Sequence, residues 1–191
     1  MATTAGPYGL RPVGSLAGVY NGKLRQIKMT NSYATSVFYG DPVRLVAAGT
    51  LEKAVATDVG PVVGVFLGCN YTDPNSGQKA FKNWWAASTT ATDLFAYVAD
   101  DPDMIFQCQS SAVIAQADMG INVAMVQTVG STVTGMSKVA ISGLSTAVTS
   151  TLPLRIIGFV NGPSSAVGDA FTDCLVTINT HQYRGVGIAG I

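Results

Sequence analysis

The sequence predicts a mainly β fold: a compact β-barrel or jelly-roll-like body with an extended N-terminal arm and little helix. Three observations carry this reading. Of 191 residues, 48% are hydrophobic and only 12% are charged, against roughly 25% charged in an average globular chain. The good helix formers Glu, Lys, Gln and Arg are scarce, with Glu52 the single glutamate, whereas Val, Thr, Ser and Gly abound. Short apolar runs recur between clusters of Gly, Pro, Asn and Asp, which is the punctuation of strands and turns. The length suits one domain with a real core. It divides into an arm over 1–22, a body over 23–184 and a Gly-rich tail over 185–191.

The arm is defined by "AGPYGLRPVG", Ala5 to Gly14. Pro7 and Pro12 push the residues before them, Gly6 and Arg11, toward extended backbone. Tyr8, Leu10 and Arg11 equip the arm to hold a neighbouring surface. Asn21-Gly22 is a strong hairpin signal, and a strand over 23–29 follows it. Gly40-Asp41-Pro42 is a turn. "VRLVA" then alternates, Ala48-Gly49-Thr50 reverses the chain, "LEKAVA" returns, and 58–61 turns it again into "VVGVFLG". That last run is apolar at nearly every position, so it is covered on both faces or packed in a barrel. The three strands read as a meander.

A long turn spans Tyr71 to Lys79, and "AFKNWWAAS" follows as a strand. Adjacent strand side chains point to opposite faces. One of Trp84 and Trp85 therefore enters the core and the other meets a partner. Strands at 94–99 and 104–109 flank a turn at Asp100 to Asp103, and "SSAVIAQADMG" holds the only candidate helix. "INVAMVQ", "VTGMSKVAIS", "LRIIGFV" and "DCLVTIN" add further strands, about ten in all. "VVGVFLG" and "RIIGFVNG" share a pattern, and the glycine inside each marks a bulge or corner rather than a duplication.

Lys plus Arg and Asp plus Glu number 11 each, so the net charge is zero. This disfavours a nucleic-acid binder, and a charge-poor surface favours association. Residues 1–15 lack the basic start and apolar run of a signal peptide. Val139 to Leu154 is too polar to span a membrane. A chain made and assembled in a cytoplasm is expected. Cys69, Cys108 and Cys174 are far apart and odd in number, which points to buried free thiols rather than a disulfide framework or zinc site.

Chemistry is thin. His181 is the single histidine, and no nucleophile motif accompanies it. Asp100, Asp101 and Asp103 suit a turn better than a calcium loop. "GVGIAGI" contains a literal GxGxxG, but the chain ends one residue later, where a dinucleotide site needs a helix. "NYT" at 70–72 fits a glycosylation sequon without other signs of secretion. No catalytic residue, cofactor or metal site is assigned. Trp84 and Trp85, with Tyr71 and Phe81 nearby, suit core and interface or a sugar-stacking platform.

Taken together, "AGPYGLRPVG", "YATSVFYGDPVRL", "VVGVFLGCNYTDP", "ADDPDMIFQCQ" and "LVTINTHQY" resemble the head decoration, or cement, proteins of tailed double-stranded DNA bacteriophages. The resemblance runs from about residue 5 to 183 and concerns layout rather than a catalytic motif. It implies a non-enzymatic virion protein on the outer surface of the capsid. Such a protein is commonly a homotrimer, bridging major capsid protein subunits and stiffening the shell. The interface residues expected here are Tyr8, Leu10, Arg11, Trp84 and Trp85, with neither nucleic acid nor membrane as partner. Three rivals stand beside this reading: a carbohydrate-binding or host-adhesion module, a small hydrolase or lyase built on His181 and the aspartates, and another virion component of the tail or fibre.

Overall fold

The computed structural model describes residues 4–55 and 61–184. The protein is mainly β, as the composition predicts. Its strands are β1 (Arg11–Ser15), β2 (Arg25–Lys28), β3 (Pro42–Leu45), β4 (Leu51–Lys53), β5 (Gly64–Thr72), β6 (Lys79–Lys82) and β7 (Phe95–Ala99), followed by β8 (Met104–Gln109), β9 (Asn122–Val123), β10 (Met125–Val126), β11 (Ala140–Ile141), β12 (Leu154–Phe159) and β13 (Asp173–Ile178). The helix expected near residue 115 is one 3-10 turn, Gln116–Asp118.

Sheet I has the order β1-β8-β13-β12-β9, and sheet II the order β2-β7-β5-β3-β4 with β6 also on β5. Among the described residues every ladder between these strands is antiparallel, and β10 pairs β11 separately. Neither large sheet closes on itself, so the body is sandwich-like and not a barrel. The apolar run of β5 has the other explanation open to it, burial on both faces. Val65 and Leu67 join Ala99 in a core shared with Phe106, Cys108, Ile156, Cys174 and Val176 of sheet I. Phe66 turns the other way, into a second core with Val43, Ala96 and Val98, closed by Met29, Val37, Trp85 and Leu94 from the connecting segments. Edge strands are kept from aggregating by charge or proline: β2 reads RQIK, and β1 carries Pro12.

Three expectations change. The stretch "VRLVA", "LEKAVA", "VVGVFLG" is not a meander, because β3 lies between β4 and β5. Asn21-Gly22 does not close a hairpin, since β1 and β2 belong to different sheets. The Asn21 side-chain oxygen instead accepts from the Lys23 N–H at 3.1 Å, a local turn that competes with pairing. "VTGMSKVAIS" forms a strand only at Ala140–Ile141, with an isolated bridge from Met136 to Tyr39. The turn at 58–61 lies almost wholly, and the tail at 185–191 entirely, outside the described residues.

The N-terminal segment is extended, as expected, and it is hydrogen-bonded to the body of its own chain. The Gly6 N–H donates to the Gln109 side-chain oxygen at 2.7 Å. Those of Gly9 and Leu10 donate to the carbonyls of Val139 and Gly40 at 3.1 and 2.9 Å, and that of Leu16 to Asp103 at 2.8 Å. Gly9 has φ 81°, and a Cβ built on it lies 2.6 Å from the Ser137 Cβ and 2.8 Å from the Gly40 carbonyl. Only glycine fits this crossing. Leu10 is fully buried in the first core. Leu10→Ala is therefore expected to lower unfolding free energy by about 2–5 kcal/mol, read by urea denaturation. A partner-facing leucine would give almost no change.

Candidate interaction surface

Strand alternation gives sheet I an inner face in the core and an outer face away from it. On β8 the buried positions alternate with Ile105, Gln107 and Gln109; on β13 they alternate with Asp173 and Leu175. The register sets Leu175 opposite Gln107, and Gln107 opposite Arg11 of β1. Two bulges enrich this face. The β1–β8 register shifts between Pro12 and Gly14, and the β12–β13 register shifts between Ile156 and Gly158. Val13 and Ile157 are the inserted residues. Val13 is 43% exposed and Ile157 is half-buried. Ile105 lies beside Gly14 and Leu175 beside Gly158. Val13, Ile105, Ile157 and Leu175 belong to neither hydrophobic core. A depression lined by Leu16, Arg155, Thr177 and Arg184 extends the face.

Tyr8 and Arg11 lie on this surface. The Tyr8 hydroxyl donates to an Asp173 carboxylate oxygen at 2.9 Å, and the Arg11 guanidinium sits 4.8 Å from the Tyr8 ring centre. Gln107 donates to the other Asp173 oxygen at 3.4 Å. Burial, then the charge and hydrogen bond of Asp173, raise the Tyr8 phenol far above its ordinary range. It remains a donor at any working pH and fastens the segment across β8 onto β13.

The structure separates the five expected interface residues. Tyr8 and Arg11 share the outer face of sheet I. Leu10 is in the core. Trp85 is fully buried, donates its ring N–H to the Tyr33 carbonyl at 3.0 Å and meets Tyr71 edge-on at 5.3 Å. It cannot contact a partner. Trp84 is half-buried and stacks on Phe38 at 5.5 Å with 9° between the rings. Sequence reasoning missed Val13, Ile105, Ile157 and Leu175. Ile105 and Leu175 are visible as apolar residues of "MIFQCQ" and "DCLVTI", but nothing in those stretches says which face is covered.

A second exposed patch lies on sheet II. Phe81, 65% exposed, tilts toward Tyr97 at 5.5 Å, and the Tyr97 hydroxyl accepts from Gln26 and Asn70 at 2.9 and 3.1 Å.

His181 and the aspartates are held by structural contacts. His181 is fully buried, and its Nδ1 accepts from the Tyr183 N–H at 3.1 Å. Asp100 pairs with Arg25 at 2.9 Å, and Asp103 pairs with Arg184. Asp101 accepts from the Asp103 N–H at 2.9 Å, which is turn chemistry. Among the described residues no three His, Cys, Asp or Glu gather in a metal-binding group, and no helix is long and apolar enough to cross a membrane. Burial lowers the His181 pKa, against the opposing charge of Asp100. A depressed imidazole binds its proton more readily in the unfolded chain. Its penalty is therefore absent above about pH 6.5 and grows as pH falls below that. Thermal melts of the wild type and His181→Gln at pH 7.5 and 5.5 are expected to show a larger acid loss in the wild type.

Comparison of the chain with protein families, with curated proteins and with solved structures gives no match in any of the three.

Proposed function

We propose that this protein is a structural virion component that coats the outer surface of a phage head, with the outer face of sheet I seated on the major capsid protein. The observation that carries the reading is that face: Val13, Ile105, Ile157 and Leu175 at its middle, Arg11, Gln107 and Asp173 beside them. An apolar centre with a polar rim is the anatomy of a protein interface. The zero net charge and the resemblance in layout to head decoration proteins support the same conclusion. In this reading the protein acts as a homotrimer bridging neighbouring capsid subunits, and many copies turn weak single contacts into firm attachment. It performs no catalysis.

A second reading, saccharide binding or host adhesion, draws support from Phe81 and Tyr97. It does not use Trp85, whose ring is enclosed.

The test is co-sedimentation with undecorated heads of the phage that encodes the protein. Ile157→Asp combined with Leu175→Asp is expected to reduce bound protein at least tenfold while leaving the melting temperature close to wild type, because both side chains lie outside the cores. Phe81→Ala is expected to bind as wild type does. The reverse pattern would favour the patch on sheet II.

A further inference from the structure

The three cysteines look unrelated in sequence, yet the fold sets two of them side by side. Cys108 of β8 and Cys174 of β13 are direct register partners. Two residues further along each strand, the Ser110 N–H donates to the Thr172 carbonyl at 2.9 Å. Pair types alternate along an antiparallel ladder, so Cys108 and Cys174 form a hydrogen-bonded pair with Cα atoms about 5.5 Å apart. That falls inside the roughly 4.4–6.8 Å Cα span of disulfides. A hydrogen-bonded pair holds its Cβ atoms about 5.5 Å apart, wider than the roughly 3.5–4.5 Å of a disulfide, so closure requires β8 and β13 to shift toward each other at this pair. Both side chains enter the same core, and Cys69 lies in the other.

We propose that Cys108 and Cys174 are a latent cross-strand disulfide site, closed by a small peroxide. The reduced thiols rest on carbonyls. The Cys108 Sγ is 3.7 Å from the Val139 oxygen, and the Cys174 Sγ is 3.7 Å from the Thr172 oxygen. A local shift of the two strands together with rotation about χ1 exchanges these weak contacts for a sulfur–sulfur bond. In the first step one thiol sulfur attacks a peroxide oxygen and the O–O bond breaks. A sulfenic acid forms and water leaves. In the second step the other thiol attacks the sulfenic sulfur, the S–O bond breaks and a second water leaves. Two thiols and one hydrogen peroxide become one disulfide and two waters; sulfur is oxidised and peroxide oxygen reduced.

Burial governs the rate. Together with the charge of Asp173, it pushes the Cys174 thiol up to about 12. Little thiolate exists at neutral pH, and the oxidant reaches the sulfurs through local opening of sheet I. Once formed, the bond ties β8 to the strand at the centre of the sheet and closes a long loop, which restricts the unfolded chain. The proposal does not depend on what the outer face binds.

The experiment treats the full chain with hydrogen peroxide, natively and in urea below the unfolding midpoint, then quenches, unfolds, alkylates and maps peptides by mass spectrometry. The expected result is a Cys108–Cys174 link in at least one condition, Cys69 alkylated, and intact mass lower by two hydrogens. Cys174→Ser is expected to stay folded by circular dichroism and lose the link. Free Cys108 and Cys174 in both conditions, sulfinic acid in place of a link, or pairing with Cys69 as frequent as with each other would overturn the proposal.

Discussion

Asp41→Ala is expected to lower the unfolding free energy by about 3–5 kcal/mol, the range for removing one partner of a buried ion pair. Asp41 is fully buried, and the Lys53 ammonium, 10% exposed, lies 2.7 Å from its Oδ2. The same oxygen accepts from the Phe38 N–H at 2.9 Å, and Oδ1 accepts from the Ser137 hydroxyl at 2.6 Å. The Ser137 Oγ in turn accepts from the Val139 N–H at 3.0 Å, and the Val139 carbonyl receives Gly9 of the N-terminal segment. One carboxylate thus links the turn before β3, strand β4, the segment before β11 and the N-terminus. Its removal leaves a nearly buried ammonium, a hydroxyl and an amide without their acceptor. Replacing both members, Asp41→Ala with Lys53→Met, is expected to recover part of the loss, since the stranded cation accounts for much of it. Urea denaturation of the two singles and the double measures this coupling. Strict additivity would show that the pair does not act as a unit.

Gly64→Ala is expected to be comparably severe for a steric reason. Gly64 opens β5 against the end of β7. A Cβ built there lies 2.3 Å from the Ala99 carbonyl oxygen and 2.9 Å from the Asp100 Cα. Both obstacles are backbone, so no rotamer change relieves them. Separating β5 from β7 disturbs both cores, because β5 feeds Val65 and Leu67 to one and Phe66 to the other. The expected loss exceeds the roughly 1–3 kcal/mol typical of overpacking and shows as a lower urea midpoint. Gly162→Ala is the control, since a Cβ there meets nothing within 4 Å.

Strands whose two faces differ were the legible ones. The burial of "MIFQCQ" alternates strictly, and β8 spans Met104–Gln109 as read. The uniform apolarity of "VVGVFLG" signals burial on both faces, and its environment fulfils that. The glycine of "RIIGFVNG" marks a bulge, as expected, whereas Gly64 marks a close approach of two strands. Long-range placement was not legible. Gly and Pro make "AGPYGLRPVG" extended, but only the positions of Gln109, Val139 and Gly40 show where it docks, and all are distant in sequence. Asp41 reads as a turn residue because nothing local reveals that Lys53 and Ser137 will enclose it. The adjacent tryptophans do divide as alternation demands, Trp85 inward and Trp84 half-buried, although regular pairing in β6 ends at Lys82. Of the candidate surface, only Tyr8 and Arg11 were legible. The rest of it depends on which face of sheet I the second sheet covers.

The proposed attachment of sheet I's outer face to a phage head is decided by electron microscopy of undecorated heads incubated with the protein. Added density on the outer shell is expected, with Val13, Ile157 and Leu175 facing the major capsid protein and the density lost for Ile157→Asp with Leu175→Asp. Bare shells with density on the tail, or a coat that keeps full occupancy with the double variant, would overturn the proposal.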